Sequence, residues 1–171
     1  LRELAERLAA PVTTSLQGKS AFPEDHPLAL GSGGRAIPKP VHHFLGAADL
    51  IFGIGCSFTE TNFGVSMPAG KTIIHATLDA MDLNKDLPSD LGLIGDAGLT
   101  LEALNAEIEE LLDGPREAEA VTAEIAGVRE AWLAEWRPKL TSDEVPLSPY
   151  RVLSDLHETL DRDNTIITHD A

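Results

Sequence analysis

The chain's 171 residues are enough for one domain with a real core, and 43% hydrophobic against 24% charged residues excludes a disordered polypeptide. Lys and Arg number 13 against 28 Asp and Glu, a formal charge of −15, which repels phosphate backbones and argues against a nucleic-acid partner; solubility is the plain reading of that charge. One cysteine, Cys56, excludes an internal disulfide and fits a reducing cytoplasm, and no apolar run reaches the roughly 20 residues that span a bilayer, so no membrane partner is expected.

Leu1, Leu4, Ala5 and Leu8 recur at helical spacing with charged residues between them. The start carries neither a signal peptide nor an initiating Met, so the chain reads as a fragment. Pro11 ends this helix and opens a β-prone run, Val12-Thr13-Thr14-Ser15-Leu16. A long Gly- and Pro-rich loop is expected from Gln17 to about Pro40, and loops of that length are usually functional or disordered. A helix over Val41 to Ala48 leads into Asp49 to Cys56, whose continuous apolar run predicts a strand buried on both faces. Lys71 to Thr77 and Leu91 to Asp96 read as two further strands. Leu99 to Leu112 is a helix with Leu101, Leu104, Ile108 and Leu111 on one face, closed by Gly114-Pro115.

Alternating strands and helices predict an α/β fold with a parallel sheet of five or six strands. A further acidic helix, Ala118 to Trp136, carries Trp132 and Trp136, which read as a packing stripe. Residues 138–149 hold three prolines and read as a linker. A helix from Pro149 to about Leu160 and a strand from Thr165 to His169 then look like the opening of a second domain. The organisation expected is therefore 1–115 as one domain, 116–148 as helix and linker, and 149–171 as the beginning of another.

Gly53-Ile54-Gly55 ends the buried strand. Glycines there let a ligand approach the backbone, or simply make a tight strand-end turn, and the third Gly of a dinucleotide fingerprint is absent. Asp79 follows the next strand, where it either takes ribose hydroxyls or caps a helix. Asp96, in Gly95-Asp96-Ala97, repeats the pattern at the third. Gly53, Gly55, Asp79 and Asp96 at three consecutive strand ends would line one rim of the sheet, where open α/β folds bind ligands. Gly31-Ser32-Gly33-Gly34-Arg35 would cradle a diphosphate or form a surface loop. The six histidines show no ligand spacing, so no metal site is expected, and Cys56 reads as a small buried side chain. No catalytic residue can be named.

Several segments in colinear order resemble the central domain of thiamine-diphosphate enzymes of the acetolactate synthase type. They are Pro11 to Lys19 with Phe22-Pro23-Glu24-Asp25-His26-Pro27, Ala48-Asp49-Leu50 with Gly53-Ile54-Gly55, Ile73-Ile74-His75-Ala76-Thr77-Leu78-Asp79, Asp82 to Lys85, and Gly95-Asp96-Ala97. Pro149-Tyr150-Arg151 and Ile166-Ile167-Thr168-His169-Asp170 resemble the start of that family's diphosphate-binding domain. The resemblance implies a Rossmann-like central domain cut at both ends, without its first strand. It implies an intact enzyme that uses thiamine diphosphate and Mg²⁺, both held outside this chain, to make or break a carbon–carbon bond beside a carbonyl. Acetolactate-synthase-like condensation of 2-oxo acids leads; a decarboxylase or a sulfoacetaldehyde-acetyltransferase-like enzyme is the nearest rival, and a non-binding spacer domain or a stand-alone nucleotide module are the others. The fragment alone would be inactive, and the intact enzyme a homodimer or homotetramer. Family members bind FAD, ADP and part of coenzyme A, or nothing in this domain. Here Cys56-Ser57-Phe58 stands where flavin-binding members carry Ala-Arg-Phe, Thr77 where an Asp is common, and Gly33-Gly34-Arg35-Ala36 where the family has Gly-Met-His-Gly; these departures weigh against FAD.

Overall fold

The computed structural model describes residues 1–34, 36–62, 64–161 and 163–168. They form α1 (Arg2–Leu8), β1 (Val12–Ser15), β2 (Ala29–Gly33), α2 (Lys39–Ala47), β3 (Leu50–Ile54), β4 (Thr72–Thr77), a 3-10 turn at Ala80–Asp82, β5 (Leu91–Ile94), α3 (Ala97–Leu111), α4 (Glu119–Leu140) and α5 (Pro149–Thr159). The fold is α/β with all strand pairs parallel. Two compact units are present, Leu1–Arg129 and the residues from Glu130 onward.

The first unit departs from the expected single sheet. β1 pairs with β2, and β3, β4 and β5 form a separate three-stranded sheet in that order. No described strand hydrogen-bonds β1 to β3, so the five strands divide two and three. β2 lies inside the stretch expected to be all loop. Its Ala-Leu-Gly-Ser-Gly sequence has weak strand propensity, and the strand exists through its ladder with β1, joined by Thr13 Oγ1 donating to the Gly31 carbonyl (2.8 Å) and a Thr14–Ser32 hydroxyl contact (3.0 Å).

The core gathers around this smaller sheet. Ala5 of α1, Phe22, Leu28, Ala29 and Leu30, Val41 of α2 and Ile125 of α4 are all buried together. Pro40 in the first turn of α2 fits there because its missing N–H is one the helix cannot pair anyway. Arg129 of α4 donates to the Ala29 carbonyl, fixing α4 across β2. Arg7 of α1 pairs with Glu109 of α3 at 3.3 Å, and its carbonyl accepts from the Arg116 amide.

β4, central in the three-stranded sheet, is the buried strand: Ile73, His75, Ala76 and Thr77 are all covered. β3, expected to be buried on both faces, is only half-buried, because a single strand pairs with it. β5 lies at the other edge with Leu91 and Ile94 exposed. Along α3 the expected apolar face is half-covered at Leu101, Leu104 and Ile108, while Leu111 is exposed.

In the second unit α4 runs on through Pro138, which the linker reading had excluded from it. Pro138 lies in the last turn and has no N–H to return to the Ala134 carbonyl, so the helix gives up that bond there, and the Thr141 amide still closes on the Arg137 carbonyl (3.0 Å). Trp136 packs on Tyr150 (centroids 5.1 Å), with Lys139 Nζ 4.4 Å from the indole centroid, so Trp136 is a packing residue. Ser148 caps α5, and Arg151 ties Asp155 (2.8 Å) to Asp143 (2.6 Å). Residues 165–168 form no strand, and no described strand pairs with them; His169, the last residue of that expected strand, lies outside the described residues.

Candidate functional site

Because β3, β4 and β5 are parallel, their carboxyl ends fall on one side. The register pairs Ile54 with Ala76 and Thr77 with Ile94, and the ladder continues with Gly55 N–H to the Ala76 carbonyl and Gly95 N–H to the Thr77 carbonyl, both 3.0 Å. Gly55, Asp79 and Asp96 therefore stand in a row along one rim. The sequence placed them there because each ends an apolar run.

Each residue has a local reason to be what it is. Gly55 takes φ +63, a left-handed conformation that glycine adopts without steric cost, and a side chain there would first meet Ala97 at 3.8 Å. Its neighbour is thus the first turn of α3, where unpaired amides favour negative charge. Asp96 already serves that end: its carboxylate accepts from the Leu99 amide at 3.1 Å. Asp79 caps the 3-10 turn through the Met81 amide at 2.9 Å. Both acids are exposed, and each cap bond engages one oxygen. Cap and ligand roles are compatible in geometry.

Gly53 is buried, and its Cα face is covered by the ring of Phe58; a Cβ there would overlap that ring. Phe58 itself sits at φ +47. Its ring meets His75 edge-on, centroids 4.8 Å apart, and His75 is fully buried. His75 Nε2 donates to the Cys56 carbonyl at 2.7 Å, and Nδ1 is buried with no hydrogen-bond partner among the described residues. Burial pushes the Cys56 thiol up from its ordinary range, against a smaller lowering by the Phe58 amide. A few residues on, Val65 covers Gly33 of β2, so the chain after β3 reaches glycines of both sheets.

Sequence reasoning missed Phe58, His75 and Val65. A histidine in the middle of an apolar strand was the one signal available, since such a residue must find its hydrogen-bond partner inside. The expected Gly31-to-Arg35 cradle divides: Gly31 to Gly33 belong to β2, and Arg35 lies outside the described residues.

Two clefts among the described residues, about 120 and 270 Å³, are lined by Val65 and Ser66, the smaller with Ile37, Pro68 and residues of α2, the larger with Glu60, Thr61 and Asn62. Both fall below the ~300–1,000 Å³ of ordinary small-molecule sites. Among the described residues no group of three or more His, Cys, Asp and Glu could hold a metal ion, and no helix is long and apolar enough to cross a membrane.

Comparison with known proteins gives a consistent result. Residues 1–104 match the family described as thiamine pyrophosphate enzyme, central domain. The chain is 34% identical to a probable acetolactate synthase large subunit of Methanocaldococcus jannaschii, over 100% of this chain and 29% of that protein. It is 26% identical to glyoxylate carboligase of Escherichia coli, over 98% of this chain and 28% of that protein. Among solved structures, the benzoylformate decarboxylase of Polynucleobacter necessarius superposes with a TM-score of 0.60 at 25% identity, covering 94% of this chain and 28% of that one. The chain thus spans less than a third of the length of these relatives.

Proposed function

Because the chain belongs to the family of thiamine pyrophosphate enzyme central domains, we propose that it is the central portion of an enzyme that condenses 2-oxo acids in the manner of acetolactate synthase. Residues 1–115 are then the central domain, 116–148 a helix and linker, and 149–171 the opening of the diphosphate-binding domain. The observation that carries this reading is the match of the whole chain, at 34% identity, to a protein described as a probable acetolactate synthase large subunit. Thiamine diphosphate supplies carbanion stabilisation beside a carbonyl in such enzymes. Its site and that of Mg²⁺ lie outside this chain, so the fragment alone is inactive. The intact enzyme is a cytoplasmic homodimer or homotetramer acting on small 2-oxo acids, with neither nucleic acid nor membrane as partner. The test is a pyruvate-consumption assay on the full-length protein with thiamine diphosphate and Mg²⁺. Acetolactate as product supports the reading; an aldehyde with CO₂ as the only products overturns it in favour of a decarboxylase, the reaction named in the solved relative.

The contribution of this portion is a nucleotide site on the rim at Gly53, Gly55, Asp79 and Asp96, with ADP or the ADP part of coenzyme A preferred over FAD. Asp79 and Asp96 each use Oδ1 in a cap bond, and the exposed carboxylates suit ribose hydroxyls. Calorimetric titration with ADP, FAD, coenzyme A and thiamine diphosphate tests it. Asp79→Ala is expected to weaken ADP binding in a folded chain, while silence from every ligand favours a spacer that only positions its neighbours.

A further inference from the structure

We infer that Phe58 is a plug: its ring occupies the notch over Gly53 and closes the β3 end of the rim, and a nucleotide reaches that backbone only when the ring leaves. The inference rests on the rim being a nucleotide site. Of Gly53, Gly55, Asp79 and Asp96 only Gly53 is buried, and the groups nearest its Cα face are the Phe58 ring, from five residues further on, and beside it Cys56 Sγ. The ring atoms nearest the position of the missing Cβ are Cζ and Cε2, so the phenyl enters the notch tip first. The absence of a side chain at Gly53 is therefore used twice. It makes the notch, and the chain's own ring fills it.

Three contacts hold the plug. His75 Nε2 donates to the Cys56 carbonyl at the base of the turn, the His75 ring walls Phe58 at 4.8 Å, and Cys56 Sγ lies beside the Gly53 notch. His75 acts as a positioning residue for the turn, through Cys56 and Phe58. Two features work against the closed state. Phe58 holds a left-handed φ of +47, which an aromatic side chain adopts only under constraint. His75 Nδ1 is fully buried with no hydrogen-bond partner among the described residues, a polar atom left unsatisfied while the ring is seated. A turn strained in this way is suited to release.

The tip-first seating supplies the test. Phe58→Tyr adds a hydroxyl at Cζ, where the ring already abuts the β3 backbone, so the ring cannot seat although its size and apolar body are kept. Phe58→Gly removes the ring and accepts the left-handed φ. ADP is titrated calorimetrically into the unaltered chain and both variants, with far-UV circular dichroism and cooperative thermal unfolding checking each fold. A ligand that must wait for an opened fraction binds more weakly by that fraction, so unseating the ring is expected to tighten ADP binding at least about tenfold. Measurable and equal affinity in all three proteins overturns the plug and leaves the nucleotide site standing. Absence of binding in all three folded proteins overturns the nucleotide site and the plug with it. If Phe58→Gly does not fold, Phe58→Tyr decides alone.

Discussion

Phe58 at φ +47 places a Cβ where it crowds the following carbonyl, a conformation that costs roughly 1–2 kcal/mol in an L-residue, and the Gly53–His75 seat is what offsets it. The same seat desolvates Cys56. Its thiol gives up its proton less readily folded than unfolded, because burial penalises the thiolate. The sign of the pH effect follows. The folded chain binds that proton more tightly, so the stabilisation is fully present below the unfolded thiol pKa and is lost as pH rises through the folded value. The urea midpoint of the unaltered chain is therefore expected to fall between pH 8 and pH 10. In Cys56→Ala that fall shrinks. Equal pH slopes in the two proteins would show that the thiol remains as free to ionise in the fold as in the unfolded chain.

At the scale of elements, the rim rests on caps. Asp96 ends the turn after β5 and starts α3, a 15-residue helix whose exposed first turn would otherwise leave the Leu99 amide unpaired. Asp96→Ala is expected to cost about 1 kcal/mol of stability, read from chemical denaturation, while Asp96→Asn keeps an oxygen acceptor and costs a few tenths. Equal losses in the two variants would mean that charge beside the helix end, and not the cap bond, is what Asp96 supplies. The elements that sequence revealed were those with a local signature. The apolar runs of β3 and β4 and the acid-capped start of α3 depend on residues within a few positions of one another. β2 had no such signature, because Ala29 to Gly33 becomes a strand only through β1. Residues 165–168 had the signature and form no strand, since Thr and Ile propensities need a neighbour to bond. At the site, the order of Gly55, Asp79 and Asp96 was legible because parallel strands bring their ends together. Phe58 over Gly53 was not, since nothing in the spacing of a glycine and a phenylalanine says that the chain turns back.

At the scale of the whole chain, the family match ends at residue 104 while the core does not. Ile125 is 1% exposed, Val121 packs against the same cluster, and Arg129 reaches the carbonyl of Ala29 in β2. The first half of α4 therefore belongs physically to the unit that carries the rim. The residues after Leu140 contact the end of α4 and one another: Tyr150 with Trp136, Ser148 with the Lys139 carbonyl, Arg151 with Asp143 and Asp155. They also leave Val145, Leu153, Ile166 and Ile167 exposed. A chain stopped after Leu140 is accordingly expected to unfold in one cooperative thermal transition, within a few degrees of the full chain's first-unit transition. A chain stopped after Asp113 keeps every strand and the whole matched region, yet loses Ile125 and Val121. Removing a buried Ile side chain alone costs about 2–5 kcal/mol, a large part of the roughly 5–15 kcal/mol that holds a domain together. That shorter chain is expected to lose its cooperative transition. If it melts as sharply as the chain stopped after Leu140, α4 is dispensable and the core is complete within the region of the family match.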